Sequence, residues 1–215
     1  MRVIDCEQNT PEWHAARCGR VTGSRVSDVV RRTKSGVSAS RNTYMGELVA
    51  ERLSGFQQGS TFTSAAMQWG KDNEAAAREM YQFATGASVS LVGFVVHGGF
   101  DWAGASPDAL VDDVGLVSIK CPNSATHIST LLGAPIEPDY MTQMQWEMAC
   151  SGRAWCDFVS FDPRLPAEMQ IDIRRAPRDP ARILELELAV SVFLAEIEAT
   201  CAQLIAKFRQ QLAAE

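Results

Sequence analysis

Metal-ligating soft residues are sparse in this sequence. It has three histidines, and six cysteines at positions 6, 18, 121, 150, 156 and 201. None of the cysteines forms a Cys-x-x-Cys pair, and His14, His97 and His127 have no ligand spacing. A chain of 215 residues with 46% apolar content is too long and core-rich for a disulfide scaffold. A structural zinc has no ligand set. Reduced, mostly buried thiols are the expectation. No apolar run approaches the roughly 18–20 residues that a membrane span needs. The start, Met1-Arg2-Val3-Ile4-Asp5-Cys6, has no signal-peptide core. The expected location is cytoplasmic, with no membrane partner. Repeats, low-complexity tracts and internal linkers are also absent, so residues 1–215 read as a single domain. Positive charge is not in excess either. The net charge of −6 argues mildly against nucleic acid, because phosphate is neutralised by Lys and Arg. That average hides an uneven distribution: Arg2 to Arg41 holds eight basic and four acidic residues, including Arg31-Arg32-Thr33-Lys34. Such a run is commonly a solvated face. Acidic residues gathered around a metal also lower net charge while serving phosphate chemistry, so charge alone decides nothing.

Periodicity supplies a set of elements. Thr10 before Pro11 predicts a short helix to about Cys18. A second helix starts near Thr22-Gly23-Ser24 and turns Val26, Val29 and Val30 inward. A third covers about Asn42 to Leu53, with Met45, Leu48, Val49 and Leu53 on one face. A long helix covers about Thr63 to Phe83. Ser88–His97, Ala103–Val111 and Gly115–Lys120 read as strands, the last two joined at Asp112-Asp113 as a hairpin. Helices follow over Ser124–Leu132 and Asp139–Cys150, then strands over Trp155–Phe161 and Met169–Arg174. Pro180 opens an amphipathic helix to about Ala214, with an apolar stripe of Leu184, Leu188, Val192 or Phe193, Ile197, Leu204 and Phe208. The pattern is mixed α/β: a central sheet, mainly from residues 88–175, between helices.

The hairpin is where the chemistry concentrates. Ser106-Pro107-Asp108 on one strand faces Ser118-Ile119-Lys120 on the other. Side chains alternate along a strand, so positions 118 and 120 share a face and Ile119 points away. Asp108, position 118 and Lys120 can then converge. A carboxylate pair beside an ammonium suits divalent-metal phosphodiester hydrolysis. Hard oxygens hold Mg²⁺, the metal activates a water, and the lysine orients it or offsets charge on phosphorus. Plainer readings stand beside this. Asp108 after a proline suits a turn. Glu74 and Arg78, four apart on a helix, suit a surface ion pair. Gln143 and Gln145 suit surface polar groups, and Trp69 and Tyr81 suit the core.

Ser-Pro-Asp followed by Ile-Lys-Cys-Pro resembles the active-site hairpin of the lambda exonuclease and YqaJ-type viral recombinase family, which belongs to the restriction-endonuclease-like nucleases. Four further segments resemble that family in the same order. Pro11-Glu12-Trp13-His14-Ala15-Ala16-Arg17-Cys18-Gly19 with Val21-Thr22-Gly23-Ser24 is similar to its N-terminal motif. Trp69-Gly70-Lys71-Asp72-Asn73-Glu74 is similar to its Gly-x-x-x-Glu helix. Tyr140-Met141-Thr142-Gln143-Met144-Gln145 is similar to its Tyr-x-x-Gln-x-Gln helix, and Phe161-Asp162-Pro163-Arg164 to its strand-end motif.

The resemblance implies a restriction-endonuclease-like α/β core, a central mixed sheet flanked by helices. It implies a Mg²⁺-dependent exonuclease (Mn²⁺ as substitute) that digests one strand of linear double-stranded DNA 5′ to 3′ and leaves a 3′ overhang for recombination. Asp108, Glu74, position 118 and the Ile119 carbonyl would hold metal. Lys120 would be the catalytic lysine, and Gln143 would orient water or phosphate. Arg17, Ser24 and Lys34 would hold the DNA 5′-phosphate; the planar guanidinium of Arg17 suits phosphate oxygens. A homotrimer around DNA ends and a single-strand annealing protein as partner are also implied. One departure matters: the family has glutamate where this chain has Ser118. A neutral, short hydroxyl is a poor Mg²⁺ ligand, so the expectation is impaired activity. Asp112, Asp113 or Glu147 are candidate substitutes for the missing carboxylate. A catalytically inactive DNA-end-binding protein, or another endonuclease or repair nuclease of the superfamily, are the rival functions.

Overall fold

The structure, a computed structural model, describes residues 1–33, 36–58 and 64–212, with side chains to residue 210. The chain runs β1 (Arg2–Ile4), α1 (Pro11–Arg17), β2 (Val21–Thr22), a 3₁₀ turn (Gly23–Arg25), α2 (Val26–Val30), β3 (Arg32–Thr33), β4 (Gly36–Val37), α3 (Ala39–Ser54) and α4 (Ala65–Thr85). It continues through β5 (Val89–Ser90), β6 (Phe94–Val96), β7 (Ala103–Ala105), β8 (Ala109–Val111), β9 (Gly115–Lys120), α5 (Ser124–Leu131), α6 (Pro138–Ser151), β10 (Trp155–Phe161), β11 (Ile171–Pro177) and α7 (Pro180–Leu212).

Local chemistry sets the helix ends. Thr10 and Ser38 cap α1 and α3 through their hydroxyls, which accept from the Trp13 and Arg41 N–H groups. The Ser38 cap starts α3 at Ala39, three residues before the periodicity suggests. Gly55, Gly86 and Gly152 end α3, α4 and α6 in the left-handed conformation that glycine adopts without steric cost.

The expected strands 88–97 and 103–111 are each divided between two sheets. A five-stranded mixed sheet has the order β11-β10-β9-β8-β5, and a four-stranded one the order β1-β6-β7-β2. Between β5 and β6 lies Gly93, where any Cβ would sit 2.5 Å from the Ile4 carbonyl oxygen. Between β7 and β8 lies Ser106-Pro107-Asp108, where proline has no N–H for a ladder. Asp108 therefore stands where the chain crosses from one sheet to the other. The central pair β9–β10 is parallel and β8–β9 antiparallel.

Helices cover both faces of the larger sheet. Ala77 and Tyr81 of α4 pack on Val117, Ile119 and Val159. Met144 and Met148 of α6 pack on Leu116 and Phe158. The Tyr81 hydroxyl donates to Asp157 at 2.8 Å, and Arg175 grips the same carboxylate at 2.8 and 2.9 Å. Tyr81 is thus a core residue, as expected.

The packed face of α7 keeps Phe193, Ile197 and Leu204 of the predicted stripe but not Leu184, Leu188 or Phe208. Ile183, Leu186, Val190, Phe193 and Ile197 are buried, while Leu184, Leu188 and Val192 are about 60% exposed (56, 62 and 58%). Apolar residues of this helix extend beyond one face, and contact with Val26, Val29, Tyr44 and Leu48 selects the buried set. Its length and mean hydropathy of 1.6 also reach what a membrane span needs. The stretch is nonetheless interrupted by Glu196 and Glu198, so no uninterrupted apolar run of that length occurs, and the helix packs one face into the core. Leu53 of α3 is likewise exposed and not part of its buried face. Cys150 and Cys156 are buried, the other four cysteines are half-buried, and all six are free.

Candidate active site

The hairpin builds the site from its open end. Ala109 pairs with Val117, so Asp108, one residue earlier, comes level with Ser118. The Ile119 N–H donates to Asp108 Oδ2 at 2.6 Å. This anchors the carboxylate where β8 has not yet begun. The preceding loop is itself tethered. Gln8 donates from Nε2 to the Val92 and Pro107 carbonyls, both at 2.9 Å. Trp13 Nε1–H donates to Ser106 Oγ at 2.8 Å.

Alternation along β9 follows the expectation. Ile119 turns to α4, and Ser118 and Lys120 turn to the opposite face, shared by Leu116 and Phe158 under α6. Lys120 lies over the Tyr140 ring at 5.0 Å. Burial pulls the Lys120 pKa down, but the charges of Asp108 and Glu147 outweigh it and hold the ammonium above its ordinary value.

Glu74, on α4, shares with Asp108 a cleft of about 370 Å³ that also takes in Gln8, Asn9 and Arg78. Both readings of Glu74 have a basis. It pairs with Arg78 at 3.1 Å. Burial first, and then the Asp108 charge, raise its pKa.

Ser118 is almost fully buried, and its Oγ has no hydrogen-bond partner among the described residues. Of the three acids considered as substitutes, two are in the wrong place. Asp112 and Asp113 sit at the closed end of the hairpin, and Asp112 Oδ1 accepts from the Ser88 N–H. At about 3.3 Å per residue, they lie roughly 13 Å or more along the strand from Asp108. Glu147 differs. It is 1% exposed, its Oε1 accepts from Gln143 Nε2 at 2.7 Å, and its Oε2 is buried without a partner among the described residues. Burial, with the Asp108 charge second, pushes its pKa up to about 8. Gln143 thus meets Glu147, a contact that its surface-polar reading did not include.

The expected phosphate-holding residues are only partly gathered. Arg17 lies over the Trp13 ring at 4.1 Å, and its Nε is buried with no partner. Ser24 is exposed, and its Oγ is 3.4 Å from Thr22 Oγ1. The Thr22 N–H donates to the Tyr44 hydroxyl at 3.1 Å, and Tyr44 is electrostatically coupled to Arg17. Lys34 lies outside the described residues. Arg164 of the strand-end motif lies over the Trp69 ring at 4.2 Å and forms a bidentate pair with buried Asp162, whose pKa falls to about 2.

Among the described residues, no three His, Cys, Asp or Glu side chains close on one point. Mg²⁺ does not require such a cage, because it keeps several waters and takes one or two carboxylates. Asp108 with a flanking glutamate, beside buried polar atoms left without partners, fits such an ion.

Two sheets, helices on both faces of the larger one, and a carboxylate beside a lysine at a hairpin's open end give the mixed α/β architecture of the restriction-endonuclease-like fold. Residues 12–154 match the YqaJ-like viral recombinase domain. The structure is similar to an alkaline exonuclease from Laribacter hongkongensis (LHK-Exo), with 50% identity, a TM-score of 0.87, and 94% of this chain and 100% of that one covered. The LHK-Exo complex with dAMP matches with the same figures. A phage related exonuclease from Haemophilus somnus 129PT, 16% identical with a TM-score of 0.64 over 88% of this chain and 96% of that one, shares the fold. No curated protein matches the chain. The chain belongs to the YqaJ-like viral recombinase family, and nuclease activity follows from that membership.

Proposed function

We propose that this protein is a divalent-metal-dependent exonuclease that degrades one strand of linear double-stranded DNA from the 5′ end, leaving a 3′ overhang for recombination. The observation that carries the reading is Asp108 held level with Ser118, with the Lys120 ammonium coupled to its charge, in a chain half identical to an alkaline exonuclease.

Asp108, Glu74 and the Ile119 carbonyl are the groups that would hold Mg²⁺ or Mn²⁺. When bound, the metal polarises the scissile phosphate and lowers the pKa of a coordinated water. Lys120, kept protonated by its acidic neighbours, offsets the charge that develops on the phosphoryl oxygens. Asp108 cannot swing freely, because the Ile119 N–H fixes one of its oxygens. Arg17 supports the 5′ polarity: a largely buried guanidinium with an unpaired Nε suits a terminal phosphate, with Ser24 and Lys34 as further contacts.

Two further elements belong to the proposal: a homotrimer around the DNA, and a cytoplasmic single-strand annealing protein as partner. The exposed Leu184, Leu188 and Val192 of α7, beside exposed Val37, offer a surface for contact between copies.

Incubation of 5′-phosphorylated linear duplex and closed circular duplex with Mg²⁺ tests the reading. The linear form is expected to lose one strand from its 5′ end and the circle to persist. Cleavage of the circle would instead place the protein among endonucleases. Lys120→Ala is expected to slow digestion roughly 100-fold or more, as loss of a transition-state charge contact does.

A further inference from the structure

Ser118 raises a physical problem that the rest of the fold answers. Its hydroxyl occupies the place of a metal-binding carboxylate, and it is buried with no partner. A buried polar atom left unpaired is costly, so such atoms are rare outside sites that bind something. A second one faces the same region. Glu147 extends from α6 past the 3₁₀ turn and β7: its Cγ lies 3.5 Å from where a Cβ on Gly23 would be, and Ala105 borders the same point. Gly23 leaves room for the carboxylate to pass. Its Oε1 is held by Gln143, and its Oε2 is buried and unpaired. The charge of Glu147 acts on both Asp108 and Lys120, while Glu74 reaches Asp108 from the α4 side. Asp108 is thus flanked by one glutamate from each helix layer.

We propose that Glu147 supplies the carboxylate that position 118 lacks: its Oε2 ligates the divalent cation together with Asp108, and Gln143 is the positioning residue that fixes Oε1. The short Ser118 side chain is what makes space for this longer side chain to arrive from the facing helix. The chain is then a complete nuclease and not one silenced by Ser118. This inference rests on the proposed metal-dependent exonuclease function.

The test is calorimetric titration of Mn²⁺ into the wild-type chain, Glu147→Gln, Ser118→Glu and the double variant Ser118→Glu/Glu147→Gln, with digestion of linear duplex run in parallel. Glu147→Gln keeps shape and the Gln143 contact region, and its circular-dichroism melt checks folding. The expected result is a loss of Mn²⁺ affinity of roughly 10- to 100-fold in Glu147→Gln, with recovery in the double variant, where the carboxylate returns to the strand. Unchanged Mn²⁺ affinity in Glu147→Gln overturns the proposal. So does a wild type that binds no Mn²⁺. A loss that the double variant does not recover also overturns it and leaves Glu147 a structural role. The two readings fail separately. A wild type that binds Mn²⁺ through Glu147 yet leaves the duplex intact refutes the exonuclease reading alone. Equal digestion by wild type and Glu147→Gln refutes the Glu147 assignment alone.

Discussion

At the scale of single residues, the interior carries unusual charge. Glu147 is buried against Gln143, and its carboxyl is raised from an ordinary 4.5 to about 8, by burial first and by Asp108 second. In metal-free protein the unfolded chain releases this proton near its ordinary pKa, while the folded chain retains it to about pH 8. The folded state therefore binds more protons across that window, and stability falls as pH rises through it, then levels off. Glu147→Gln removes this dependence. In chelator, its melting temperature is expected to exceed that of the wild type by a margin that grows from pH 5 to pH 8; parallel melting curves for the two across that range would refute the assignment. Tyr81 makes a second residue-scale prediction. Its hydroxyl donates to a buried aspartate that Arg175 also grips. Tyr81→Phe is expected to cost about 1.5–3 kcal/mol in urea unfolding, the worth of a hydrogen bond to a charged group.

At the scale of elements, the site depends on how α6 is seated. Trp146 Nε1–H donates to the Gly104 carbonyl at 3.1 Å, which ties α6 to β7 one residue before Glu147. Gly104 is itself closely enclosed: a Cβ there would lie 2.5 Å from the Phe94 ring and 2.5 Å from the Val95 carbonyl oxygen. A ring can turn, but a ladder carbonyl cannot. Gly104→Ala is expected to destabilise by about 1–3 kcal/mol through overpacking, read from the shift in the denaturation midpoint. Mn²⁺ affinity is expected to fall with it if α6 is displaced.

Much of this element level was legible in the sequence. Caps, terminal glycines and apolar periods are local, so most helix bounds agree with the structure to within a few residues. The strands 88–97 and 103–111 were read as continuous because a run of apolar residues does not reveal which sheet it joins. Their division at Gly93 and Pro107 depends on which backbone lies opposite. The stripe predicted for α7 agrees at Phe193 and Ile197 and fails at Leu184 and Leu188, because the apolar residues of this helix extend beyond one face.

At the scale of the whole molecule, the exposed line of Leu184, Leu188 and Val192 is the feature that the isolated fold leaves unexplained. Leu188 and Val192 line a groove of about 710 Å³ between α7 and β4 that does not include Asp108, Glu74 or Glu147. If copies associate there, sedimentation of the wild type gives a mass above that of one chain, and Leu188→Glu/Val192→Glu sediments as a monomer. Unchanged sedimentation in that variant would place any assembly contact elsewhere.

The sequence by itself determined which hairpin residues can meet. Asp108, Ile119 and Lys120 are near neighbours along the chain, and strand alternation dictates which of them share a face. Sequence alone also showed that position 118 lacks a carboxylate, but left three candidates to replace it. Only the tertiary structure shows which of them lies near Asp108. Asp112 and Asp113 are closer in sequence, yet the antiparallel register carries them to the far end of the hairpin. Glu147 comes from a distant helix whose packing across the sheet brings its carboxylate beside Asp108 and Lys120. That proximity arises from side chains interlocking between layers, and spacing along one chain segment does not encode it.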